Sequence, residues 1–281
     1  MTIPLRRITL SLFRALLPPG ARSSLRLMFD LDPPDNPLRQ LELFTPERVV
    51  VLAPHMDDET CGCGGAIHKH VLAGGEVTVV YLTDGRKGNP DLYCQSLNAA
   101  EIARGEEYHI AIRKEEATRA AHILGVQEIL YLDARDSELV PTPGIICTLR
   151  KILVERRPAI VYLPSFMDLH ADHWQTLAIF NAVIADPTVP NNWHYVCRGY
   201  EIWNPQLANR ILDISDVVAV KKQALEQFIS QIRHNDYLRT LLGLNAYRSI
   251  HLQRGSGFAE AFFECTPEVY QYIFDRLTYR K

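Results

Sequence analysis

The chain has 281 residues, 47% hydrophobic and 22% charged, with a formal net charge of -3 and a pI near 6.4. This is an ordinary globular composition, enough for one large domain or two small ones, and it carries no basic field that would argue for nucleic acid as a partner. Six cysteines (Cys61, Cys63, Cys94, Cys147, Cys197, Cys265) lack a framework spacing, which excludes a disulfide scaffold and reads as reduced thiols of a cytoplasmic protein.

Residues 1–29 are Arg-rich, with Arg6, Arg7, Arg14, Arg22 and Arg26 before the first acid, Asp30. Arg14 interrupts the apolar run, so neither a signal-peptide core nor a membrane span is expected. Leu5, Ile8, Leu12 and Leu16 share one helical face. Such a stripe more often packs on protein; its second reading is a helix lying on anionic lipid at the inner face of a membrane. Residues 31–45 are rich in Pro and Asp and read as a connector, so 1–45 is taken as an extension and 46–281 as the domain.

Arg48–Ala53 (RVVVLA) is a β-branched run typical of a strand buried on both faces, followed by Pro54-His55-Met56-Asp57-Asp58-Glu59 and a Gly-rich helix start. Val77–Thr83 is a second such strand. The stretch 86–112 has no clear period and reads as a long loop with a short helix. Arg113–Leu124 is a predicted helix on Ala117, Ala120, Ala121 and Leu124, stopped by Gly125. Strands follow at 128–132 and 159–163, with a helix at about 144–156 between them. Later strands are expected at 199–203 and 210–218, and a helix at 221–232. Strand and helix alternate, so the predicted fold is α/β: one domain with a mainly parallel sheet and helices on both faces. Ligands of such sheets sit beyond the strands' carboxyl ends, which draws attention to 54–59 and 164–173.

The first segment packs an imidazole and three carboxylates into five positions after a buried strand. Adjacent acids at the mouth of an apolar sheet repel one another unless a cation compensates. His55 and one aspartate can ligate a divalent metal while the other aspartate stays free for proton transfer. The second segment, His170-Ala171-Asp172-His173, offers one histidine to the metal and one to a substrate oxygen, with Asp172 fixing the latter's tautomer. Two histidines and one carboxylate leave a position open for water, the pattern of catalytic zinc. Read singly, the acids favour a helix N-terminus and the histidines are surface residues; their joint occurrence at two strand ends speaks against that. Cys61 and Cys63 read as small residues of a helix start rather than thiolate ligands. Arg113 and Glu116 are spaced as an i,i+3 helix pair.

These residues resemble the PIG-L/LmbE family of zinc-dependent N-acetylglucosaminyl deacetylases. The family's His-Pro-Asp-Asp-Glu motif stands here as His55-Met56-Asp57-Asp58-Glu59, and its His-Pro-Asp-His motif as His170-Ala171-Asp172-His173. Met56 and Ala171 replace prolines, at positions that shape backbone rather than ligate. Thr83-Asp84-Gly85, Arg113-x-x-Glu116, Lys222–Leu225 leading to Ser230-Gln231, and Ala259–Phe262 match secondary blocks, with Phe228 standing where many members are polar. The resemblance covers roughly 46–265. It implies a Rossmann-like fold and Zn2+ held by His55, Asp58 and His173. It makes Asp57 the general base and then acid, has His170 polarise the acyl oxygen with Asp172 behind it, and offers Arg113 to substrate polar groups. The implied reaction removes the acetyl group of an N-acetylated amino sugar, which the Arg-rich extension allows to be a glycolipid or polyprenyl-linked sugar. The same site also suits another amide or carbamoyl-type bond; a non-catalytic sugar-binding module would have no need of Asp57. Trp174, Trp193 and Trp203 are candidates to face a sugar ring, although core packing is the ordinary reading of each.

Overall fold

The computed structural model describes residues 38–41, 45–94, 96–190 and 192–278. The amphipathic segment 1–29 lies outside the described residues. Among those described, no helix is long and apolar enough to cross a membrane.

The strands are β1 (Arg39–Leu41), β2 (Arg48–Ala53), β3 (Glu76–Thr83), β4 (Glu128–Ala134), β5 (Ile160–Pro164), β6 (Val196–Tyr200), β7 (Arg210–Asp213) and β8 (Ala259–Cys265). The helices are α1 (Asp58–Leu72), α2 (Asp91–Cys94), α3 (Ala99–Leu124), α4 (Pro143–Arg156), α5 (Ala171–Ile184), α6 (Val218–Leu225), α7 (Ile229–Ile232), α8 (Tyr237–Arg248) and α9 (Pro267–Thr278). The strands form one sheet in the order β1-β7-β8-β6-β5-β2-β3-β4. All neighbours are parallel except β8, which runs antiparallel to both β6 and β7.

The run Val49–Ala53 is apolar throughout because it faces two cores. Val49, Val51 and Ala53 pack with Ala66 and Ile67 of α1 and Ala117, Ala120 and Leu124 of α3. Val50 and Leu52 face the other way, onto Leu149 and Leu153 of α4 and Leu177 and Phe180 of α5. Period-2 side-chain alternation thus feeds both helical layers, and their apolar burial is the main stabilising contribution.

Several segments depart from the sequence reading: the strands expected at 199–203 and 210–218 are Val196–Tyr200 and Arg210–Asp213. Arg39–Leu41, taken as connector, adds an edge strand along β7. Helix α3 starts at Ala99, well before Arg113: Asn98 accepts from the backbone N–H of Ala100 and Glu101, and Glu101 returns a bond to the Asn98 N–H. The early turns show no apolar stripe because their buried residues are Glu106, His109 and Arg113. At its far end Gly125 takes the left-handed φ of 80° that the stop requires. Finally, the expected helix over 221–232 is broken into α6 and α7 at Phe228, which is wholly buried in the core.

Candidate active site

Both motifs lie beyond the carboxyl ends of adjacent parallel strands, β2 and β5, and one cleft of about 440 Å³ receives them. That volume falls within the range of small-ligand sites. Its floor is His55, Asp57, Asp58 and His170.

Asp58 opens α1, and its Oδ2 takes the His55 backbone N–H at 2.8 Å. The same oxygen lies 3.1 Å from His55 Nδ1 and 3.3 Å from His173 Nε2. His173 is fully buried in the first turn of α5, and neither of its ring nitrogens has a properly aligned hydrogen-bond partner. Two donors each 2.0–2.1 Å from a tetrahedral zinc lie about 3.3 Å apart. Each of these two imidazole nitrogens is thus spaced from Asp58 Oδ2 as two ligands of one divalent ion are, and His173 has an unpartnered nitrogen to offer. Among the described residues, the groups whose donor atoms all lie within 4.8 Å of one another are His55, His170 and His173, and His55, Asp136 and Asp172.

His170 caps α5: its Nδ1 accepts the Asp172 N–H at 3.2 Å. That use of Nδ1 places the ring hydrogen on Nε2, directed at the cleft as a donor. Burial, followed by the His55 and His173 charges, lowers its pKa, so it stays a neutral donor.

Asp57 is buried, and burial pushes its carboxyl up to about 6 against the lowering effect of Arg113. A carboxylate near neutrality suits proton transfer in both directions. Asp58 goes the other way. Burial would raise it, but the charges and hydrogen bonds of His173 and His55 hold it well below the carboxylate range. His173 is raised to about 9, because Asp58 and Asp168 outweigh burial. The two adjacent aspartates are thus electrostatically distinct.

Two expected partnerships are replaced. Asp172 does not stand behind His170; its Oδ2 is 3.1 Å from His55 Nε2 and accepts the Ser137 N–H at 2.8 Å. With His170 Nδ1 committed to the cap, the buried carboxylate turns to the other imidazole. Nor does Arg113, which lines the cleft, pair with Glu116. Its Nη2 donates to Met56 O at 2.6 Å and Asp57 Oδ1 at 3.0 Å, and it is almost wholly buried. Glu116 instead accepts from the Ser230 N–H at 2.8 Å and Oγ–H at 2.7 Å.

Four contributors had no role in the sequence reading, although Glu260 lies in one of its matching blocks. Asp168 Oδ2 lies 3.0 Å from His173 Nδ1, the position that orients a metal-bound imidazole. Its only local signal is the turn in which Asp168 Oδ1 accepts the His170 N–H at 2.9 Å. Asp136, after β4, sits 3.4 Å from His55 Nε2. The other two are Lys221 and Glu260. Helix α1 kinks at Cys63, freeing backbone groups that these two take up. Glu260 accepts the N–H of Gly65 and Ala66, each at 2.8 Å, and Lys221 donates to Cys61 O at 2.9 Å. Both are fully buried and pair at 2.7 Å. Gly62 in this stretch lies so close to Tyr200 that a Cβ there would come within 2.3 Å of its ring. The helix carrying Asp58 is thereby clamped against α6 and β8.

Residues 50–184, which include both motifs, match the family model described as GlcNAc-PI de-N-acetylase, PIG-L. A diacetylchitobiose deacetylase from Thermococcus kodakarensis is 29% identical over 235 residues, covering 77% of this chain and 81% of that protein. A probable N-acetyl-alpha-D-glucosaminyl L-malate deacetylase 2 from Bacillus anthracis is 28% identical over 195 residues, 65% of this chain and 80% of that one. Among solved structures, the N,N'-diacetylchitobiose deacetylase of Pyrococcus horikoshii superposes with a TM-score of 0.66 at 25% identity, covering 96% of each chain. The chain thus resembles deacetylases of the LmbE/PIG-L type in sequence over residues 50–184 and shares their α/β architecture.

Proposed function

We propose that this chain is a zinc-dependent hydrolase that removes the acetyl group from an N-acetylated amino sugar, releasing acetate and the free amine. The observation that carries the reading is Asp57. It is a buried carboxylate held by Arg113 at 3.0 Å, on the cleft floor beside the His55–Asp58–His173 donor set. The names of the relatives support the substrate class.

In this reading His55, Asp58 and His173 hold the metal, with Asp168 and Asp172 orienting the two imidazoles. A bound divalent ion supplies Lewis acidity, activating water and polarising the amide carbonyl. Asp57 accepts the proton of the attacking water and then delivers it to the departing amine nitrogen, since one group near neutrality serves both transfers. His170 donates from Nε2 to the carbonyl oxygen as negative charge grows there. Arg113 keeps Asp57 ionised and aimed.

The test is acetate release from N-acetylglucosamine and its glycosides. Turnover should vanish on chelation and return with zinc. Turnover unaffected by a strong chelator, or no acetate from any N-acetylated sugar, would refute the reading. The catalytic unit is residues 46–281 with the β1 strand added. For residues 1–29, whose apolar stripe more often packs on protein, peripheral membrane contact is the second role; if deleting them leaves vesicle partitioning unchanged, that role is lost.

A further inference from the structure

Resting on the deacetylase reading, we infer that Trp203 is the platform of a second sugar position, where a neutral pyranose next to the N-acetylated ring lays its C–H face on the indole. The three tryptophans differ sharply in their surroundings. Trp174 donates its indole N–H to Asp168 O at 2.6 Å, and Trp193 donates to Pro158 O at 2.8 Å while stacking on Tyr195 at 4.2 Å. Both are partly buried and pack against the core cluster that includes Leu177 and Phe180 of α5. Trp203 is 51% exposed and lines the cleft. It meets Tyr237, another lining residue, edge-on with ring centroids 6.3 Å apart. Among the described residues, no acceptor takes its indole N–H.

This exposure is built in rather than a matter of a loose loop. The segment from β6 to β7 is tied at Glu201, whose carboxylate forms a buried pair with Arg248 of α8 and accepts the Gln206 N–H at 2.6 Å. Gln206 Nε2 closes the turn on Gly199 O at 2.6 Å. A large aromatic held half-bare at a cleft wall is preorganised contact area, and covering it is favourable.

The chemistry of the cleft selects the occupant. A phosphate or carboxylate on the neighbouring group would need a free cation. Lys87 Nζ is held by Glu106 at 2.9 Å and lies over the Tyr93 ring, and Arg113 is engaged by Asp57. A long acyl chain would need an apolar trough, whereas the cleft surface beyond the aromatic wall is Asp136, Ser137, Gln231, His234 and Asn235. These groups suit hydroxyls. An uncharged sugar ring, with one apolar face and a polar rim, matches both walls.

The test compares N-acetylglucosamine with N,N'-diacetylchitobiose on the zinc-loaded protein, wild type against W203A and W203F. The preference for the disaccharide, as a ratio of kcat/KM values, should fall about tenfold or more in W203A, mainly through KM, and less in W203F. An unchanged ratio in W203A overturns the inference while leaving the deacetylase reading standing. A second readout does not need turnover. Titrating N,N'-diacetylchitobiose into the zinc-loaded Asp57→Asn protein should change tryptophan fluorescence, and the change should be lost when W203F is added. A signal that survives W203F, or no signal in the parent, contradicts the platform. If wild type releases no acetate from either sugar but the fluorescence change tracks Trp203, the reaction is misread and the sugar position stands.

Discussion

Replacing Arg113 by leucine separates two roles that one buried arginine can play. In the structure its Nη2 lies 3.0 Å from Asp57 Oδ1, and both side chains are nearly fully buried. Removing one member of a buried pair leaves the other charge uncompensated, at a cost of about 3–5 kcal/mol. Asp57 can escape much of that cost by taking up a proton. At about 1.4 kcal/mol per pKa unit, a rise of roughly two units is a modest expectation. The sign follows from the cation: Arg113 favours the ionised carboxylate, so its loss moves the pKa up from about 6 towards about 8. A general base must be ionised, so at pH 7 its active fraction falls from about nine-tenths to about one-tenth. The assay is acetate release over pH 5–9. The acid limb of kcat/KM should move up by about two units, with most activity recovered at high pH and KM little changed. Arg113→Lys, which keeps the charge, should move the limb less. A variant whose KM rises steeply while the acid limb stays in place would refute this reasoning and return Arg113 to the substrate contact expected from sequence.

Other consequences follow from neighbouring contacts. Asp168→Ala removes the carboxylate 3.0 Å from His173 Nδ1 and should weaken zinc binding about 10–100-fold, read by competition with a chromophoric chelator. Unaltered affinity would mean that Asp168 does not orient the ligand. Gly62→Ala forces a Cβ to within 2.3 Å of the Tyr200 ring and should destabilise by about 1–3 kcal/mol in denaturant unfolding. A neutral result would show that the helix start is not clamped as described.

The strand-end architecture was legible because β2 and β3 are buried on both faces and show it as unbroken apolar runs. The two chemical motifs were legible because each follows such a strand within a few residues. What escaped notice is polar and buried. The first half of α3 keeps a helical period, but on Glu106, His109 and Arg113, which a search for apolar faces passes over. Asp136 reaches His55 from a distant segment, and Asp168 reaches His173 from the turn just before α5, outside either motif, so no motif marks them. Lys221 and Glu260 cap a kink inside α1 from two distant elements, and the kink itself, at Cys63, has no local signature beyond the glycines around it. The partner of Asp172 was misassigned because His170 is a helix cap, which commits its Nδ1 to backbone. Sequence could not single out Trp203 from the two partly buried tryptophans, because its exposure is set by tertiary packing.

The most direct test of the account is the Asp57→Asn protein, measured for zinc content and acetate release in one preparation. The ligands His55, Asp58 and His173 remain, so zinc should bind at one ion per chain. The proton carrier is gone, so turnover of an N-acetylated amino sugar that wild type accepts should fall by about 10²–10⁴. Full zinc with undiminished acetate release would contradict the assignment of Asp57 at its root.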